Sequence, residues 1–456
     1  MRARFQALAP ASPEAYNTLS AISAWFHRSR GVIIVRRSLL TDVIFVAILT
    51  LAAWVVPVAA QAAPASAVVT CGQTLTSSTR LANSLVSCAG DGLVIGADNI
   101  TVDLAGHSIS GVNASGSEGI ANDGHAGVLI KNGTIENFFL NGVGLRGAPR
   151  STVSNLTIRK IGAGGVEGDA SAGVLVRESP NTVVTANTVT NDVSAFQSDG
   201  VDVLFSARTT VSGNRIANNA WNGVVVLESP ESRVIGNALD GNQNQGTEVN
   251  FGSDGTLLAG NHAGNNVSNG LVVGAVSGAR IEGNTLTGNG EGGLFMFDLL
   301  NSQVSANRAS GNPVGIDLEG GQNGSSGNRI ANNDVSRNAE AGLVVGADTG
   351  VAHNDNVIVG NVSNLNQGGP GEGGGILLFA VKGNTVRGNV ANANRGVGIG
   401  VFEDQPGDAT GNVLTANVAN SNHDHGISAV EGTIDGGGNI AHGNTPLPNC
   451  LGVSCT

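Results

Sequence analysis

Ten asparagines recur along this chain in step with a series of glycines, and their spacing constrains the fold more than any other feature. Each glycine opens a run of the form Gly-apolar-x-apolar. Gly200, Gly223, Gly246, Gly270, Gly293 and Gly315 stand 23, 23, 24, 23 and 22 residues apart. The asparagines are Asn187, Asn214, Asn237, Asn261, Asn284, Asn307, Asn333, Asn361, Asn389 and Asn417. A second column follows five residues behind, from Asn219, Asn242 and Asn266 to Asn422, with Asp192 at its head. Periods of this length belong to stacked repeats, in which each unit buries its apolar face only against its neighbours. The runs themselves, such as Gly223-Val224-Val225-Val226 and Gly375-Ile376-Leu377-Leu378, place apolar residues at alternate positions, which is the period of a strand. A further apolar column, from Val184 and Val211 to Leu414, lies three residues before each first asparagine.

Short strands broken by Gly and Asn exclude a helical solenoid, and only Lys131, Lys160 and Lys382 supply lysine. Coils paired in register form parallel sheets, with like side chains stacked at the strand spacing of about 4.8 Å. Stacked Asn amides then hydrogen-bond up and down a ladder. Asn tolerates the left-handed backbone of a tight corner, and Gly is expected to serve the other corner for the same reason. About fourteen coils between Asp91 and Asn444 give a rod of roughly 65 Å. Leucine-rich repeats are excluded because the anchor positions are Val, Ile and Gly, and no Gly-Gly-x-Gly-x-Asp series is present.

The coil pattern Gly-Asn-x-x-x-x-Asn-x-x-x-Gly-apolar-x-apolar resembles the right-handed parallel β-helix repeats of pectate-lyase-like proteins. It also resembles those of NosD-type periplasmic proteins linked to copper-site maturation. The segment Asn99-Ile100-Thr101-Val102-Asp103-Leu104-Ala105-Gly106-His107 resembles their opening coil. The resemblance, with the general handedness of parallel crossovers, implies an all-β, right-handed, single-stranded parallel β-helix. It implies little about activity, because one fold hosts many functions.

The ends differ from the repeats. Arg36 and Arg37 precede an apolar run over 43–60 and two small-x-small sites, Ala60-Gln61-Ala62 and Ala65-Ser66-Ala67, the pattern of an export signal. An uncleaved membrane anchor is the alternative. The expected organisation is a leader and signal peptide at 1–67, an N-terminal disulfide cap at 68–90, the β-helix at 91–444 and a C-terminal disulfide cap at 445–456. Cys71, Cys88, Cys450 and Cys455 lie in two pairs outside the repeats, and export makes Cys71–Cys88 and Cys450–Cys455 the natural disulfides. Their spacing does not suit zinc. The expected location is periplasmic, secreted or at the cell surface.

The chain holds 23 basic and 35 acidic residues. Without the leader, which has six arginines and two acids, 17 basic residues face 33 acidic ones. That balance disfavours nucleic acid and anionic membranes as partners. It disfavours acidic polysaccharide too, unless a cation such as Ca2+ bridges; no other cofactor is expected.

The residue two after each repeat glycine faces outward between inward neighbours. Down the stack this column reads Leu175, Asp202, Val225, Glu248, Val272, Phe295, Asp317, Val344 and Leu377. Asp202 and Glu248 fall two coils apart, roughly 10 Å, near the carboxylate separation of inverting glycosidases. Asp199, in Ser198-Asp199-Gly200-Val201-Asp202, resembles part of the Asn-Thr-Asp segment of polygalacturonase-like hydrolases, but the rest of that pattern is missing. The plain alternative is solvated carboxylates on an acidic rod. Lyase or epimerase chemistry needs a base with cationic neighbours, and the only tyrosine, Tyr16, falls in the leader.

A second candidate comes from loop lengths. The arm from glycine to asparagine is normally 14 residues but reaches 18 after Gly315, 19 after Gly342 and 19 after Gly398. Insertions near 320–328, 346–356 and 403–411 would flank a floor of Phe379 and Lys382 with Phe402, Glu403 and Asp404, offering a ring for stacking and carboxylates for sugar hydroxyls. Phenylalanines packed beneath the loops are the plain alternative. His423-Asp424-His425 lacks a third metal ligand and reads as a polar corner; no metal site is expected. The expected function is an exported β-helix protein that binds polysaccharide, and the sequence leaves open whether it also processes it as a lyase or hydrolase. The alternatives are a non-catalytic surface rod binding glycans and NosD-like metal-site maturation.

Overall fold

The computed structural model describes residues 64–162, 171–190, 198–346, 353–371 and 373–456. Residues 1–63 of the expected export signal, Asp192 and the 347–352 part of one insertion lie outside them, whereas Ala65–Ala67, the second small-x-small site, forms a strand paired with Thr79–Leu81. The described chain is all β, and its strands pair in parallel. Two sheets run through the stack. Sheet 1 has 16 strands and collects the glycine-led runs, among them Ser198–Leu204, Val224–Leu227 and Thr247–Asn250. Sheet 2 has 24 strands and takes two short strands from most coils, such as Thr210–Ser212 and Arg215–Ala217.

Register follows the sequence columns. Val211 pairs with Val234, Val234 with Leu258 and Leu258 with Ile281. Their side chains point inward and are buried in a single core that continues from Val69 to Ile427. The stack has about sixteen turns, not fourteen. The cystine-bearing ends supply the difference, because they form coils of their own. Gln73–Leu75 pairs with Leu93–Ile95, and Cys450–Leu451 pairs with Ile427–Ala429.

The asparagine columns are hydrogen-bonded ladders. Asn214 Nδ2 donates to Asn237 Oδ1 at 3.0 Å and to the Val184 carbonyl at 2.9 Å, while its backbone N–H donates to Asn237 Oδ1 at 2.9 Å. The second column repeats the arrangement from Asn219 to Asn444. A third ladder was not expected. It starts as hydroxyls and becomes amides: the Thr209 N–H donates to Ser232 Oγ, the Ser302 N–H to Asn328 Oδ1, and Asn328 is followed by Asn356, Asn384 and Asn412.

Two corner expectations need correction. The left-handed residue is the one before each ladder asparagine, for example Gly213 at φ 62° and Asn218 at φ 55°, not the asparagine itself. The ladder residue must aim its amide along the stack, so the preceding residue makes the turn. The repeat glycine is also not left-handed. A β-carbon on Gly223 would stand 2.5 Å from the Gly246 carbonyl oxygen, so glycine serves there because backbone approaches backbone.

Cys71 is disulfide-bonded to Cys88, and Cys450 to Cys455. The first closes a loop across the N-terminal coils, with the cysteines 17 residues apart in sequence. Removing such a cross-link costs about 3 kcal/mol. Replacing Cys71 and Cys88 by serine is therefore expected to open the first coil preferentially. Amide exchange should accelerate at Gln73–Leu75 and stay unchanged around Leu271–Ser277; uniform acceleration would contradict a local cap.

Candidate active site on the outward face of sheet 1

Each sheet 1 strand sends alternate side chains outward, giving three columns: the residue before the repeat glycine, the one two after it and the one four after it. Register places Asp202 on Val225 and Val225 on Glu248, so the two acids share the middle column two coils apart. Asp199 and Asn222 precede their glycines in the leading column. Asn250 follows Gly246 by four in the trailing column.

The solvated reading does not hold for Asp199 and Asp202. Asp202 is 1 % exposed and Asp199 6 %. In its own column Asp202 lies between Leu175 and Val225, which are buried as well. Glu248 is half-buried and reaches solvent. Asn222 joins the group. Its backbone N–H donates to Asp199 Oδ1 at 2.7 Å, and its Nδ2 donates to Glu248 Oε2 at 3.3 Å. Asn250 Nδ2 donates to Glu248 Oε1 at 2.7 Å.

Electrostatics divide the roles. Burial pushes the Asp199 carboxyl up to about 7, against the Asn222 N–H and a hydrogen bond with Asp202, both of which favour its charged form. Burial, and then the Asp199 charge and hydrogen bond, hold Asp202 well above the usual carboxylate range. Neither Asp202 oxygen accepts a hydrogen bond from any described residue. The consistent assignment is a pair sharing one proton, with Asp202 as donor and Asp199 as acceptor. Glu248 is raised by burial and restrained by Asn250 and Asn222. A buried acid whose carboxyl is raised above the usual range, two coils from a half-exposed carboxylate, suits general acid–base chemistry.

Phe379 and Phe402 are brought together as register partners. Their rings stack at 5.2 Å between centroids and 24° between planes. Both are half-buried against Leu377, Val397, Ala341 and Val344, a small apolar cluster outside the main core. Lys382, Glu403 and Asp404 do not join them. Lys382 is exposed beyond the left-handed turn at Ala380, φ 51°. Glu403 accepts from the Gly407 N–H at 2.9 Å, and the Asp404 N–H donates to Asp408 at 3.2 Å, so these residues organise the 403–411 loop. From Glu248 to Leu377 is five coils through Val272, Phe295, Asp317 and Val344, roughly 24 Å. The carboxylates and this phenylalanine pair are therefore distant parts of one face. His425 Nδ1 lies 2.7 Å from the Pro448 carbonyl, and among the described residues no three His, Cys, Asp or Glu side chains gather as a metal site.

The sequence reading missed Asn222 and Asn250. Following the leading and trailing columns as well as the middle one would have found both.

The right-handed β-helix region matches residues 166–323 and 252–406, and the chain belongs to that family. The solenoid is accordingly right-handed. No curated protein matches. Among solved structures, the Dettilon tailspike protein is 16 % identical with a TM-score of 0.37, over 82 % of this chain and 61 % of its own. The periplasmic alginate epimerase AlgG is 14 % identical with a TM-score of 0.38, over 82 % and 78 %. The catalytic unit of a GH87 α-1,3-glucanase from Streptomyces thermodiastaticus is 14 % identical with a TM-score of 0.49, over 81 % and 62 %. This chain thus spans about three fifths of the tailspike and glucanase chains.

Proposed function

We propose that the outward face of sheet 1 binds a polysaccharide and that Asp202 and Glu248 hydrolyse it, with Asp199 as the positioning partner of Asp202. One observation carries this reading: three carboxylates share a largely buried site in which the Asp202 oxygens accept from no donor among the described residues. Leaving acids so placed destabilises a fold, and such placements cluster at functional sites.

In the proposed step Asp202 gives its proton to the glycosidic oxygen as the bond to the anomeric carbon breaks. Glu248, ionised and open to solvent, takes a proton from the water that attacks that carbon. Two coils separate their strands, about 10 Å, close to the 6.5–9.5 Å or so that leaves room for a water in inverting enzymes. Asn222 and Asn250 hold Glu248 in place, and the Asn222 N–H keeps Asp199 oriented to receive the Asp202 hydrogen bond. Lyase chemistry fits less well, because no lysine or arginine lies on the strands that carry these acids. The two disulfides suit an oxidising compartment, and with it an exported protein.

Reducing-end release from a glycan panel, with the anomer followed by NMR, is the test. Cleavage with inversion is expected, reduced about 10²-fold or more in both Asp202→Asn and Glu248→Gln. Full activity in either variant removes that residue from the chemistry. Binding without cleavage by the native chain would leave the non-catalytic rod.

A further inference from the structure

The ten strands of sheet 1 from Ser198–Leu204 to Ile427–Ala429 contain no lysine or arginine. Their outward columns instead carry Asp199, Asp202, Glu248, Asp317 and Glu319. Toward the N-terminal end the same face does bear arginines, but they are engaged. Arg146 is bound by Glu118 and lies 3.5 Å from Asp123. Arg177 lies 5.9 Å from the Phe205 ring centroid and 3.6 Å from Glu178. Lys382 is beyond the strand end.

Aromatic rings occupy the same columns as the acids. Phe295 stands two coils from Glu248 in the middle column, through Val272. Its ring lies 5.8 Å from that of Phe297, and both are half-buried. Phe379 and Phe402 follow five and six coils beyond Glu248, roughly 24 and 29 Å along the stack. Two aromatic pairs thus line one path, parallel to the solenoid axis, that leads from Glu248 past Asp317 and Glu319.

Resting on the hydrolase reading, we infer that the ligand of this face is an uncharged polysaccharide lying along the axis, with Phe295/Phe297 and Phe379/Phe402 as its remote binding subsites. A polyuronate would bring a carboxylate on every sugar to these ten strands, whose outward columns carry carboxylates and no lysine or arginine, so like charges would oppose it along them. An uncharged chain meets no such opposition. Its apolar ring faces stack on the phenylalanines and its hydroxyls donate to the acids, the usual mixture of apolar walls and few polar groups in a ligand site. Because the far pair is remote, affinity must rise with chain length until the glycan spans it.

Affinity electrophoresis of the full chain carrying Asp202→Asn tests this without cleavage. The probes are dextran, soluble starch, laminarin and arabinoxylan against polygalacturonate and alginate, the last two with and without calcium. Retardation by at least one uncharged glycan and by neither uronate is expected. Phe379→Ala with Phe402→Ala should weaken binding about tenfold, whereas Phe379→Trp keeps it. Gly346, where an added side chain meets open space, offers a gain of function: Gly346→Lys should introduce uronate binding. A uronate bound in preference to every uncharged glycan, with or without calcium, overturns this inference and leaves hydrolysis standing. No binding to any probe overturns both. Unchanged retardation in the double alanine variant, or affinity independent of oligosaccharide length, removes the phenylalanine subsites.

Discussion

Asp202→Asn will melt at a higher temperature than the native chain at pH 7 while cleaving polysaccharide at least about 10²-fold more slowly. The two effects have one cause. Asp202 is buried beside Asp199, and its oxygens meet no donor among the described residues. An aspartate in the unfolded chain ionises near its ordinary value of 3.8, whereas Asp199 in the fold titrates at about 7 and Asp202 is also raised. Above the ordinary value the folded state binds more protons than the unfolded state, so stability falls as pH rises from 3.8 through about 7 for Asp199 and goes on falling until Asp202 has ionised too. The contribution is on the order of 1–4 kcal/mol. An amide at 202 cannot ionise and can donate to Asp199, so the variant escapes this loss but has no proton to deliver. Melting curves from pH 4 to 9 would show a downward slope for the native chain and a flatter one for the variant. Equal slopes, or a variant that melts lower at pH 7, would contradict the assignment of the shared proton.

The sequence made the stack legible because its period is written in residues with few substitutes. Glycine stands where Gly223 meets the Gly246 carbonyl, and asparagine stands where one amide must both donate and accept along the axis. The third ladder was hidden because hydroxyl and amide residues fill it in different coils, so no single letter repeats. The two end coils were hidden because they lack the Gly-Asn pattern and are held by cystines. Asp202 and Glu248 were legible as members of one column, since register alone fixes that. Their burial was not, because it depends on which side chains lie above, below and beside them. Asn222 is the clearest case: it looks like an ordinary residue before a repeat glycine, yet it joins Asp199 to Glu248.

Asn284→Ala will be among the most damaging single truncations in the described chain, costing about 3 kcal/mol or more. Asn284 Nδ2 donates to the Leu258 carbonyl at 3.0 Å and to Asn307 Oδ1 at 2.9 Å, and its Oδ1 accepts from the Asn261 N–H at 2.9 Å and Asn261 Nδ2 at 3.0 Å. Alanine leaves the Leu258 carbonyl, the Asn261 N–H and an Asn261 amide proton buried without those partners. Each such group costs about 1–3 kcal/mol, and in a site sealed from water none of it is recovered. Arg280→Ala, on the exposed side of the same coil, should change stability by no more than about 0.5 kcal/mol. In a stack held by nearest-neighbour contacts, one weak junction at the centre divides the molecule into two blocks that unfold separately. Denaturant unfolding of Asn284→Ala should therefore show two transitions, with the earliest amide exchange at Asn261 and its neighbours. The same truncation at Asn439, near the last rung, should fray one end and leave the main transition in place. If Asn284→Ala costs less than about 1 kcal/mol and the Asn261 amide stays protected, the ladders are ornaments of a stack held by its apolar core alone.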